Sequence, residues 1–369
     1  MRDPRVEKLA DLLVDYSIGV RPGDKVAIRS WTPAEPLLNA LYARVLAAGG
    51  HPFLLLKFPD TEQLLFDHAS DEQLRLTSSV EQYIVDTFDA VILVRGEANT
   101  KALSNVEAHR LLLARQAEGP LMQKTMQRAA AGSLRWTSTL FPTYAYAQDA
   151  AMSLAEYEDF VYRACMPDLE DPIGYWTRVQ TRQARITEWL TGKKEVHLLT
   201  DGTDLRLSIA GRRWENACCK NNVPDGEINT SPVEDSANGT ACFSFPAIYH
   251  GREIDGVRLW FENGQVVRAE ADKNEDYVHE ALSTDAGARY LGEFAIGTNE
   301  GIDRFTGQIL FDEKIGGTFH LALGNAYPVT GGTNRSAIHW DLICDLRQGG
   351  EIRVDGELLV RDGRFVPDF

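Results

Sequence analysis

Apolar positions in the first half of the chain recur at two spacings. Val6, Leu9, Leu12, Leu13 and Tyr16 follow the period of a helix. RPGDKVAIRS then offers a Pro-Gly turn and a short strand. From Leu37 to Ala48 a second helix carries an apolar face, and Gly49-Gly50 ends it. HPFLLLKF is a continuous apolar run, the pattern of a strand buried on both faces. A polar helical stretch follows, and DAVILVRG repeats the buried-strand pattern. Strand–helix–strand order with such runs predicts a mostly parallel sheet in an α/β domain. The segment from Asn105 to Ala131 is helical in pattern, and LRWTSTLFPT reads as another strand. AMSLAEYEDFVYRACM reads as a helix with Tyr157, Phe160 and Val161 on one side. Asp171 is placed to cap a further helix with Pro172 at its first position, and Gly192 to stop it. The domain boundary is expected there.

Beyond that point the period becomes two. EVHLLT, DLRLSIAG, ACFSFPAIYHG, VRLWFENGQVVRAEAD, GQILFDE, FHLALG, SAIHWDLICD and EIRVDGELLVRDGRFV are short alternating segments separated by turns. ENGQ and VDGE are hairpin signals. A helix from about Asn274 to Leu282 interrupts the strands. The expectation is an α/β N-terminal domain with a mostly parallel sheet, residues 1–192, and a mainly β (α+β) C-terminal domain, residues 193–369.

Charge narrows the choice of partners. A formal net charge of −16 disfavours nucleic acid and anionic membrane, which need clustered Lys and Arg. The excess acid also provides donors for cations. The cysteines, Cys165, Cys218, Cys219, Cys242 and Cys344, are odd in number and show no CxxC, so neither a disulfide framework nor a zinc knuckle is indicated. The N-terminal stretch is charged and lacks an apolar signal core, and no apolar run approaches the ~20 residues of a membrane span. A reducing cytoplasm is the expected location. No GxGxxG follows the first strands, so a dinucleotide site has no support.

The chemistry concentrates in the second half. His339 and Asp341 are one residue apart in SAIHWDLICD, which on a strand places both on one face and Trp340 on the other. Imidazole with carboxylate suits Zn²⁺, Mn²⁺, Fe²⁺ or Co²⁺. His320 stands among apolar residues in FHLALG, where a satisfied core histidine is the ordinary alternative. Glu227 follows a Pro-Asp-Gly turn, Glu293 lies among Gly and apolar residues, and Glu313 closes an apolar segment. A carboxylate in such company needs an ion pair or a metal.

These residues sit in motifs with a common order. GDKVAIRS, PDGEINTSPVEDSANG, DAGARYLGEFAIG, LFDE, FHLALGNAYP and IHWDL resemble, in that order, the thermophilic-type metallo-aminopeptidases of the aminopeptidase T, aminopeptidase S and PepS group. The resemblance covers nearly the whole chain and is strongest from about Asn222 onward. It implies that Glu227, Glu293, Glu313, His320, His339 and Asp341 bind two divalent ions, Zn, Co or Mn. It also implies that Tyr327, seven residues after His320, contacts a metal or polarises the substrate. Glu293 is the expected bridging ligand, with Glu227 or Glu293 carrying the proton. The implied enzyme is a hydrolase, a metallo-aminopeptidase acting as a homodimer on peptides with a free N-terminus. Phe319 stands where many members have Cys, and Trp340 and Leu342 replace the more usual Val and Phe. The rival is a mononuclear non-haem iron ring-cleaving dioxygenase using His320, His339 and Asp341 alone. The N-terminal domain carries no reactive constellation; His51, His68 and His109 are scattered and expected at the surface or at helix ends.

Overall fold

The computed structural model describes residues 3–249 and 251–369; Met1, Arg2 and His250, which fall in the expected N-terminal helix and in ACFSFPAIYHG, lie outside the described residues. The chain divides into two compact units. One is Met1–Ile173 with Cys219–Pro224, and the other is Gly174–Cys218 with Asp225–Phe369.

In the first unit the described strands form a parallel sheet in the order His51–Lys57, Lys25–Trp31, Ala90–Arg95, Arg135–Leu140 and Asn222–Val223. Lys25–Trp31 is interior to it, and Val26, Ala27 and Ile28 are fully buried. The helix Glu35–Ala47 buries Leu37, Leu38, Leu41 and Val45, four positions on one helical stripe. Gly49 follows it with φ +82°, a left-handed conformation that suits glycine at a helix end.

HPFLLLKF corrects the sequence expectation. His51–Lys57 is the edge strand, and Phe53, Leu54 and Leu56 are exposed. A continuous apolar run shows that both faces tolerate apolar residues; it does not show that anything covers them. Phe58, Leu64 and Leu65, which follow in the sequence, are exposed as well.

In the second unit an eight-stranded sheet and a five-stranded sheet share one apolar core among the described residues. The five-stranded sheet runs in the order His339–Asp345, Thr318–Gly324, Leu291–Gly297, Glu227–Thr230 and Glu215–Ala217, antiparallel throughout. Both hairpin signals form turns with two left-handed residues, Asn263-Gly264 and Asp355-Gly356, as the twist of a two-residue hairpin requires.

Two further expectations change. GQILFDE is not a strand: Ile309–Asp312 is a single helical turn. The Asp312 carboxylate accepts hydrogen bonds from the Thr306 backbone and hydroxyl, which folds the segment back on itself. The helix Pro172–Leu190, expected to close the first domain, belongs from Gly174 onward to the second unit, where Ile186 and Leu190 join the core. Among the described residues, no helix is long and apolar enough to cross a membrane.

Candidate metal centre

The five-stranded sheet builds the site by alternation. Ile228, Phe294, Ile296, Phe319, Leu321, Leu323, Trp340, Leu342 and Cys344 enter the core. Their neighbours Glu227, Glu293, His320, His339 and Asp341 therefore share the opposite face. Register aligns them further. Glu293 and Asp341 each pair with Ala322, so one methyl group separates two carboxylates on the strands that flank Thr318–Gly324. His320 lies one step along, between Ala295 and Ile343. The bulge at Gly292 sets the phase of Glu293. A Cβ there would meet the Asn325 carbonyl oxygen at 2.4 Å, so only glycine fits.

Two groups of potential donors result. Glu293, His339 and Asp341 form one, and Glu313, His320 and Asp341 form the other; within each group, one ligand atom per residue lies within 4.8 Å of the rest. His339 Nε2 stands 3.0 Å from Glu293 Oε2 and 3.4 Å from Asp341 Oδ1. His320 Nε2 stands 3.8 Å from Glu227 Oε2. Asp341, not Glu293, is the carboxylate common to both groups. Tyr327 brings its hydroxyl within 3.3 Å of His339 Nε2. Thr330 fixes its backbone by donating to the Tyr327 carbonyl at 2.7 Å.

Both imidazoles are oriented by the main chain. His320 Nδ1 lies 3.0 Å from the Glu313 carbonyl oxygen, and His339 Nδ1 lies 2.8 Å from that of Asn325. A carbonyl only accepts, so Nδ1 carries a proton, and Nε2 is the nitrogen whose lone pair is available to a cation once it is deprotonated.

The electrostatics are those of a crowded anionic pocket. Burial raises the Glu227 carboxyl well above the usual range; Lys314 opposes the shift, and Glu313, Glu293 and Asp225 add to it. For His339, burial works against the charged form, but Asp341 and Glu293 outweigh it and hold the imidazole well above its ordinary value. Burial likewise opposes the Asp341 charge, and His339 overcomes it, drawing the carboxyl down to about 2. Burial raises the Tyr327 phenol, and Glu293 and Asp341 raise it further.

The residues fit divalent cations. Glu227 Oε2 and Asp341 Oδ1 are buried and take part in no hydrogen bond. Unpartnered buried carboxylate oxygens are costly; a cation at Asp341 removes the cost, and at Glu227 a cation or a proton does. Carboxylate oxygen with imidazole nitrogen is the donor set of Zn, Mn or Co rather than of soft thiophilic ions.

Comparison with known proteins agrees with this geometry. The model of the thermophilic metalloprotease (M29) family matches residues 2–365. The chain belongs to the M29 family. It is thus an enzyme, a metal-dependent hydrolase of the metallo-aminopeptidase group that its motifs resemble. It is 25% identical to aminopeptidase 2 of Geobacillus stearothermophilus, over 100% of this chain and 97% of the relative. It is 27% identical to aminopeptidase PepS of Streptococcus thermophilus, over 99% and 96%. The M29 fold recurs in AmpT of Thermus thermophilus, with a TM-score of 0.88, 23% identity and coverage of 98% and 99%. A more distant fold neighbour is 2,5-dihydroxypyridine dioxygenase of Pseudomonas putida KT2440, with a TM-score of 0.60, 12% identity and coverage of 98% and 97%.

Sequence patterns missed two residues that shape this M29 site. Lys314 has no exposed surface and pairs with Glu313 Oε1. In sequence it reads as half of an ordinary surface Glu-Lys pair. Gln183 is buried on its helix, donates to the Glu227 carbonyl at 3.1 Å and accepts from the Thr298 hydroxyl at 2.7 Å. It ties the start of the Glu227 strand to the end of the Glu293 strand, and no local pattern marks it.

Proposed function

We propose that the enzyme is a two-metal aminopeptidase that removes N-terminal residues from peptides. The observation that carries this reading is the pair of donor triads with Asp341 in common. In it, Glu293, His339 and Asp341 would hold one ion and Glu313, His320 and Asp341 the other, with Asp341 common to both. When bound, a pair of divalent cations lowers the pKa of a shared water and polarises the scissile carbonyl.

The remaining roles fall to the chain's own groups. Glu227 belongs to neither triad, and its buried carboxyl retains a proton more readily than an exposed one. It is suited to hold a proton at Oε2 and pass it to the leaving amine. Tyr327 keeps its phenolic proton and donates it as a hydrogen bond to the oxygen of the carbonyl under attack. The aminopeptidases among the relatives support a substrate with a free N-terminus.

A ring-cleaving dioxygenase on this fold would need His320, His339 and Asp341 around a single iron. The two imidazoles fall in different donor groups, and the glutamates would have no assigned part. Metal analysis and turnover test the choice. The expected result is two Zn, Co or Mn per chain, with hydrolysis of aminoacyl amides, none of their N-acetylated forms, and loss of turnover in Glu293→Gln. One iron per chain with oxygen consumption overturns it.

A homodimer in the cytoplasm completes the proposal on the strength of the family resemblance. The exposed apolar edge at Phe53, Leu54 and Leu56 is a surface that a second copy would cover, and sedimentation velocity checks the association.

A further inference from the structure

Lys314 is a lysine with no exposed surface at all. Its ammonium pairs with Glu313 Oε1, inside the donor group of Glu313, His320 and Asp341. The carboxylates whose charges act on it are Glu227, Glu313 and Asp225, and its own charge also reaches Asp341. The charges acting on His339, in the other group, are those of Asp341 and Glu293. Its direct ion pair with Glu313 ties Lys314 to one lobe of the site. A buried ammonium is tolerated only where carboxylates surround it, and carboxylates packed this closely repel one another without a cation.

We propose that Lys314 is the resident counter-ion of the Glu313 lobe: it holds the carboxylates together when that lobe is empty, and it limits how tightly the lobe grips a divalent cation. The proposal rests on the two-ion reading above. It makes Lys314 a positioning residue, since it acts through Glu313 and is too enclosed to reach a substrate. The two effects are linked. Whatever stabilises the empty lobe more than the filled one weakens binding by the same factor. A fixed positive charge a few ångströms from a divalent ion does both.

The test compares wild type with Lys314→Met and with the double variant Glu313→Gln/Lys314→Met. Each is stripped of metal and then titrated with Zn²⁺ or Mn²⁺. Calorimetry follows the binding steps, elemental analysis counts the ions, and thermal unfolding is recorded with and without metal. In Lys314→Met, one binding step is expected to tighten on the order of 10- to 100-fold. The metal-free Tm falls, and the gap between metal-free and loaded Tm widens. In the double variant, which also removes the Glu313 charge, the metal-free Tm recovers.

Two ions in wild type and in Lys314→Met, with unchanged steps and an unchanged Tm gap, overturn the counter-ion role and leave the two-ion reading standing. One ion in all variants, with the metal-free Tm lowered by Lys314→Met and recovered in the double variant, overturns the two-ion reading and leaves the stabilising role standing. If Lys314→Met does not fold without metal, a folded double variant supports the proposal, and a double variant that also fails to fold overturns it.

Discussion

Two strands of this enzyme look alike in sequence and differ in almost every physical respect. HPFLLLK and TFHLALG are both seven-residue runs dominated by apolar side chains, each with one histidine. The first is a sheet edge with Phe53, Leu54 and Leu56 exposed, and its His51 is exposed as well. The second is buried at every position, and it carries His320 into the metal centre. The difference lies in the neighbours. Thr318–Gly324 is flanked on both sides by other strands, with a core under one face and carboxylates over the other. A polar group on such a strand has to be satisfied by something specific, whereas on an edge water suffices.

The largest effect expected from that contrast is functional. Glu227→Gln keeps the volume of the buried side chain but takes away its proton transfer, so kcat should fall by roughly 10²- to 10⁴-fold while the far-UV spectrum and metal count stay the same. Steady-state kinetics on an aminoacyl amide, with parallel elemental analysis, checks both halves.

Next comes stability. Phe319 is fully buried and Phe53 is 47% exposed. Phe319→Ala should cost about 3–5 kcal/mol, as for a core phenylalanine. Phe53→Ala, which loses an edge-on contact with Phe88, should cost no more than about half of that. Denaturant titration of the two variants measures the ratio, and equal losses would erase the distinction between the strands.

Smaller still is the effect of charge on the edge. Leu54→Lys with Leu56→Lys should change the stability of the folded chain by only about 0.5 kcal/mol per site. If a second copy covers the edge, the same pair of substitutions shifts the sedimentation profile to monomer. A dimer that persists locates the contact elsewhere.

The smallest effect is one of pH dependence. Burial alone would raise the Asp285 carboxyl, but donors from Ala337, Ser336, Gly287 and Ala288 hold it below its ordinary value. A depressed folded-state value means that its contribution is present above the unfolded value of about 3.9 and lost as pH falls through the folded one. Asp285→Asn should therefore lower stability slightly at neutral pH and converge on the wild type as pH falls through the folded value, which flattens the acid limb; denaturant titration across the pH range checks it.

Much of this is legible in the sequence. The turn residues at Asn263-Gly264 and Asp355-Gly356 announced hairpins because only a few residue types adopt that backbone. The spacing of His339 and Asp341 announced a shared face because a strand has a period of two. What stayed hidden depends on distant partners. Gln183 acts through Glu227 and Thr298, far away in sequence. Lys314 resembles a solvated lysine until the sheet closes over it. Ile309–Asp312 looks like a strand because its apolar residues alternate with nothing that betrays the bond from Thr306 to Asp312. The outward face of His51–Lys57 shows the same limit from the other side, since residue type records tolerance for burial and not the presence of a cover.

The Nδ1 protons of His320 and His339 rest on the oxygens of Glu313 and Asn325. Peptide groups, unlike side chains, cannot be substituted away. The choice of tautomer is thereby anchored in the polypeptide itself, and it survives exchange of one ion for another as well as drift among the surrounding residues. Altering it would require moving a length of backbone, which places these two lone pairs among the most durable features of the molecule.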